Sequence, residues 1–270
     1  MARLDMIYGA RNRAPPRIPC SWTLRPVRRI GVWSPDDEAI EMLTKAGSYF
    51  RRPAGSASSP YKLDRSVGGM ISVLAEGSVV LEHVHRAGLK VVTDYSVWFD
   101  NCNWACHKLL SKTYPRADSP SSEEMDVVSR VNGYLAEICA LAGLLYVDRV
   151  IFPTLSKQAE IKSSLTSELL EMLEMIQLEV SVSGGDWESV KDVVLWAAMM
   201  GGISSPARSP LRERCVNFLA EHCITDGSEE SWEDVRAQLI SLLWIPSAFD
   251  RRGRKIWGQA KERNRLPNES

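Results

Sequence analysis

From residue 122 onward apolar side chains recur at steps of three and four, interrupted only by short turn signals. The clearest stretch is 155–180. There Ile161, Leu165, Leu169, Leu173, Ile176 and Val180 fall on one side, while Glu160, Ser164, Glu168, Glu171 and Glu174 fall largely on the other. Such spacing matches the 3.6-residue turn and predicts a helix buried along one stripe. An apolar run over 122–152 precedes it and ends at Pro153. Asp186 can cap a third helix, closing at Gly201-Gly202, where a left-handed cap is easy. Pro206 and Pro210 frame a turn before a helix over 210–224, and Ser231 with Asp234 caps a helix bearing Val235, Leu239, Leu242 and Leu243. Helices joined by short connections pack as neighbours, so the expected fold is all-α, an irregular multi-helix domain.

The first half is less regular. Residues 1–34 hold Pro15, Pro16, Pro19 and Pro26 and seven arginines against one acid, Asp5. Prolines at that density prevent a regular element, so 1–34 reads as an irregular basic arm and 35–262 as a single helical domain. Ser34 can cap, Pro35 suits the first helical position, Asp36, Asp37 and Glu38 complement the positive helix end, and Gly47 allows a stop. Residues 65–110 leave two readings open. The β-branched run "SVVLEHVHRAGLKVVTDYSVWF" fits a hairpin turning at RAG, and fits equally two buried helices separated at Gly88. Ser121 with Glu124 has the spacing of a capping box.

The stretch 241–257, "SLLWIPSAFDRRGRKIW", reads as a packing corner. Pro246 ends a helix, Gly253 allows a tight path, and Trp244 and Trp257 pin the segment to the core. Arg251, Arg252, Arg254 and Lys255 are its solvated side, although a short basic cluster also suits nuclear import or a phosphate contact.

A net charge of −1 gives the whole chain no pull toward nucleic acid or anionic membrane. No apolar run reaches the roughly 18 residues of a membrane span, so no membrane is expected. The six cysteines are scattered through a chain with 44% hydrophobic residues, which needs no disulfides. A reducing compartment, nucleus or cytoplasm, is the simpler expectation.

Three stretches together carry a resemblance: "EICALAGLLYVDRVIFP", "VVLWAAMMGGISSPARSPLRERCVNFLAEHC" and "SWEDVRAQLISLLWIPSAFDRRGRKIW". Their order and spacing resemble the C-terminal half of the helical regulatory domain of fungal-specific transcription factors, over roughly residues 130–260. The positions concerned are Leu195, Trp196, Gly201, Gly202, Ile203, Ser231, Trp232, Glu233, Val235, Leu243, Trp244, Asp250, Gly253 and Trp257. The resemblance implies a helical domain that senses a small apolar molecule or a protein partner, including a homo- or hetero-dimer with a full-length relative. It departs from the family at one point. The family's binuclear zinc cluster needs closely spaced cysteines, because four ligands converge on each metal, and no C-x-x-C occurs here. The expectation is therefore a stand-alone regulatory domain with no sequence-specific DNA binding of its own.

Motifs for chemistry are sparse. His83 and His85 share a face on a strand but diverge by about 200° on a helix, which argues against a shared metal. Cys102, Cys106 and His107 are better spaced but lack a fourth ligand nearby, and buried free cysteine is common. No P-loop, G-x-S-x-G or G-x-G-x-x-G occurs, and neither metal nor cofactor is expected. Asp148 and Arg149 interrupt the apolar "LLYVDRVIF". They read either as a solvated helix edge or as a polar pair at the end of an apolar cavity, where desolvation would perturb the carboxylate. In the second case Tyr146, Met175, Trp196 and Met199 would form the ligand walls, with Asp148 and Arg149 as the candidate catalytic pair. Two functions follow: a regulator-type binding domain, or a cofactor-independent cyclase or isomerase that holds one reactive conformer of a small apolar metabolite.

Overall fold

The computed structural model describes residues 37–51, 61–87, 95–114, 126–151, 159–225 and 230–265, with Gly9, 12–16 and Cys20 from the first segment. Most of the proposed arm over 1–34, the cap at Ser34 and Pro35, and the capping box at Ser121 and Glu124 lie outside the described residues. Among the described residues there is no strand, and the fold is all-α.

Among the described residues ten α-helices follow in order after the N-terminal segment: α1 Asp37–Lys45, α2 Ser48–Arg51, α3 Arg65–Ala87, α4 Tyr95–Thr113, α5 Val127–Tyr146, α6 Ala159–Val182, α7 Glu188–Ser204, α8 Pro210–Phe218, α9 Trp232–Leu242 and α10 Pro246–Arg265. A π-helical turn, Val147–Ile151, extends α5, and a second, Leu219–Cys223, extends α8. The stretch left undecided between hairpin and helices is helical as α3 and α4. In α3 the buried Val67, Met70, Ile71, Leu74 and Ala75 follow steps of three, one, three and one, the rhythm of one helix face. The Trp98 indole of α4 donates to the Gly77 carbonyl of α3 at 2.7 Å and pins the pair.

Helix α5 lies at the centre and packs against α3, α4, α6 and α7. Every residue from Ile138 to Tyr146 is buried, as expected of a helix apolar on all sides. Asp126 caps it by accepting from the Ser129 N–H at 3.0 Å. Helix α7 is equally enclosed from Val193 to Ser204. Buried residues from Ala46 to Ala260 form one contiguous core. The expected stop at Gly47 is present, with φ of 67°, a left-handed conformation that glycine adopts without penalty. Asp186 accepts from the Glu188 N–H at 3.2 Å at the start of α7, and Ser231 with Asp234 forms a full capping box on α9.

Two sequence expectations are corrected. Gly201-Gly202 does not end a helix; both residues lie inside α7. A Cβ on Gly201 would stand 3.1 Å from Cys215 Sγ, and one on Gly202 3.0 Å from Ile256 Cδ1, so these glycines let α8 and α10 approach α7. Pro246 also does not simply end a helix. After the break at Leu243–Ile245 it opens α10, where its missing N–H costs no hydrogen bond.

The 241–257 corner is therefore a helix start held by two tryptophans. The Trp244 indole donates to Asp250 Oδ1 at 2.9 Å, and Arg236 of α9 pairs with Asp250 Oδ2 at 2.7 Å. Gly253 faces both rings: a Cβ there would lie 2.6 Å from Trp244 and 2.7 Å from Trp232. Gly253→Ala therefore tests the corner. Alanine improves helix propensity by about 1 kcal/mol, but overpacking costs about 1–3 kcal/mol. We expect net destabilisation in urea unfolding with unchanged m-value. A gain in stability would mean that the rings are not seated on Gly253.

Candidate functional site

The residues singled out by sequence do not form one site. Trp196 and Met199 are fully enclosed in α7, and Trp196 donates its indole N–H to the Leu243 carbonyl at 2.9 Å. Met175 is a correction. It is 39% exposed and shares the outer face of α6 with Leu178 and Val182, because the buried stripe runs through Leu173 and Ile176. Tyr146, at the end of α5, faces one cleft, whereas Arg149, three residues later, lines another. The π-turn separates them.

The first cleft holds about 420 Å³, within the size range of small-molecule sites. Ala46, Ala75, Val79, Ile240, Leu243, Trp244 and Ile245 give it apolar walls. Its polar floor is a hydroxyl pair: Tyr146 donates to Ser78 Oγ at 2.5 Å, and Ser78 donates to the Leu74 carbonyl at 2.6 Å. Burial raises the Tyr146 phenol, which therefore stays protonated. Glu38, Glu41, Lys45, Glu82 and Arg236 stand at the rim. Trp244 and Phe249 stack obliquely at 5.1 Å, and Phe249 contacts Tyr146 at 5.5 Å, so the α10 start fixes both wall and floor.

The second cleft, about 590 Å³, lies between the π-turn after α5, the start of α6, the end of α7, the α7–α8 turn, and α10. Arg149, Lys162, Arg212, Arg251, Arg252 and Lys255 line it. The solvated basic run of the 241–257 corner thus contributes three of its cations to a concave surface. Behind it, Asp148 is 5% exposed and pairs with Lys162 at 3.1 Å. Burial pushes this carboxyl above its ordinary range, and Lys162 pulls it back. Asp148 is thus buried rather than at a solvated helix edge, but its partner is Lys162, and Asp148 and Arg149 do not form a polar pair at the end of the apolar cleft.

The other groups considered for chemistry are poorly placed for it. His83 and His85 lie on one helix, α3, two positions apart. Cys102, Cys139, Cys215 and Cys223 are buried thiols whose pKa burial raises, which disfavours the nucleophilic thiolate. Sequence reasoning did not find Ser78, Lys162 or Arg212. Each is an ordinary residue of an amphipathic helix, and only the packing of distant segments gives it a role. Among the described residues no helix is long and apolar enough to cross a membrane. No family model, curated protein or solved structure matches the chain.

Proposed function

We propose that this chain is a helical binding domain of the regulator type, taking a small apolar effector in the Tyr146 cleft. The observation that carries the reading is the cleft itself: apolar walls from α3, α9, Ala46 and the Leu243–Ile245 connector, a single hydroxyl pair at the floor, and charge confined to the rim. This is the composition of a site that binds by desolvation and fixes orientation with few polar contacts. The resemblance to fungal transcription-factor regulatory domains supports the same reading, because its corner residue Trp244 is a wall of this cleft. Occupancy would bear on α9 and α10 together through the Arg236–Asp250–Trp244 contacts, which gives the domain a surface to pass on to a protein partner.

The test uses Nile red, a neutral apolar dye. Saturable binding by the full chain is expected, and the half-buried Ile240 at the cleft wall is the place to block it. Ile240→Trp should weaken binding by about tenfold, the equivalent of about 1.4 kcal/mol, with circular dichroism unchanged. Binding that is unsaturable, or indifferent to Ile240→Trp, would rule out this cleft.

The cyclase reading rests on the same floor, where Tyr146 is a protonated phenol in an apolar setting. Tyr146→Phe separates the two. A binding domain keeps its ligand, whereas a cyclase using this proton loses turnover while retaining affinity.

A further inference from the structure

The basic cleft is a separate site. Six cations line its wall, and no acid does. Lys162 is matched by Asp148, but among the described residues Arg149, Arg251, Arg252 and Lys255 have no acidic partner. Arg212 is the informative one. Its residue is 5% exposed, its Nη2 donates only to the neutral Gln259 amide at 3.1 Å, and its Nε has no partner. A guanidinium buried without a counter-charge is unfavourable unless an anion joins it. Ser204, 8% exposed on the same wall, has an unpartnered hydroxyl.

From this geometry we infer that the cleft binds an organic phosphate or diphosphate through Arg212, Ser204 and the Arg251, Arg252 and Lys255 face of α10. Arg212 and Ser204 supply buried directional donors, and the α10 cations supply attraction from the mouth. The cleft is larger than an inorganic anion needs, and Ile203, Pro206 and Ala207 offer an apolar wall for the carbon portion. A nucleic-acid backbone is the less fitting occupant, because the two donors without partners lie at buried positions that a duplex cannot reach.

Pyrophosphate is the probe. Titration calorimetry and thermal unfolding of the full chain at low salt should show saturable binding and an increase in Tm, both weakening as salt rises. Arg252 and Lys255 are exposed, so the double variant Arg252→Glu/Lys255→Glu should fold and bind about tenfold or more weakly. Arg254→Glu is the control. Arg254 sits on the same helix but pairs with Glu233 at 3.1 Å and does not line the cleft, so affinity should be unchanged. Arg212→Gln should abolish binding, and its fold is checked by circular dichroism. Three results would overturn the assignment: no saturable pyrophosphate binding, an equal loss in Arg254→Glu, or a short DNA duplex that displaces pyrophosphate and loses affinity in the same double variant.

Discussion

Replacing Trp196 with Ala should lower the unfolding free energy by about 3–5 kcal/mol, the usual cost of emptying a large aromatic site in a packed core. Trp196 is fully buried, contacts Phe50 edge-on at 6.1 Å, and donates to the Leu243 carbonyl. Leu243 is extended, with φ −148° and ψ 90°, and begins the short break between α9 and α10. The indole therefore fills volume and satisfies a backbone acceptor that no helix ladder serves. Trp196→Phe separates these contributions. It keeps most of the ring and loses the hydrogen bond, so about 1–2 kcal/mol should go. Trp196→Leu should fall between the two. In a domain of this size each kcal/mol moves Tm by about 2–4 °C, so the alanine variant should melt about 6–20 °C below the parent. A shift below about 2 °C would mean that α7 is not packed as described. The same variant should loosen the Tyr146 cleft, since Leu243 and Trp244 form its wall. Trp196 acts there as a positioning residue, and Trp196→Phe should restore more of the dye binding than Trp196→Ala.

How much of this was legible in the sequence depends on the range of the interaction. The periodicity of Ile161, Leu165, Leu169, Leu173, Ile176 and Val180 is local, and all six residues are buried on α6. Gly47 and the Ser231–Asp234 box are also local signals, and the stop and the cap are both present. The run around Val79 and Val80 could not be assigned, because β-branched residues buried on several sides of a helix look like a strand in one dimension. Gly201, Gly202 and Pro246 were recognised as special but given the wrong reason. A glycine that ends a helix and one that admits a neighbouring helix are the same letter. Which it is depends on Cys215 and Ile256, which lie outside its local segment.

The candidate site was legible residue by residue but not as a place. Tyr146, Asp148 and Arg149 are adjacent in the chain, and the sequence reading kept them together. In the structure Tyr146, at the end of α5, joins an apolar cleft, and Arg149, in the π-turn, joins a basic one. Met175 was placed inward because steps of three and four leave two adjacent phases of a stripe hard to separate. Leu173 and Ile176 occupy the inner phase. The basic cleft had a visible fragment, the Arg251–Lys255 run. Its buried partner Arg212 belongs to another helix, and no spacing rule connects the two.

The Asp148–Lys162 pair should give the second large effect, and one that depends on pH. The Asp148 carboxyl is held above its ordinary value of 3.8 by burial, against the opposing pull of Lys162. A raised folded value means that the folded state keeps the proton longer than the unfolded chain. Its contribution is then fully favourable below 3.8 and is lost as pH rises through the folded value. Near neutral pH the ionised carboxylate is a burden that Lys162 reduces. Lys162→Met removes that relief while keeping the length of the side chain. Breaking a buried pair from one side costs about 3–5 kcal/mol. The Lys162 side chain is 14% exposed and that of Asp148 6%, so the lower end, about 3 kcal/mol, is expected near neutral pH. The deficit should shrink on acidification, as Asp148 takes up its proton above the ordinary carboxylate range. The double variant Lys162→Met/Asp148→Asn should recover most of the loss, because two neutral groups of similar volume replace one unpaired charge. Denaturant unfolding of the four proteins at several pH values checks this. A Lys162→Met deficit of equal size at every pH would mean that the lost interaction is packing of the lysine stem, and that Asp148 is not the buried charge it answers. Pyrophosphate binding supplies an independent readout. Because Asp148 already compensates the Lys162 charge, Lys162→Met should change that affinity far less than the α10 double variant, even where it costs more stability.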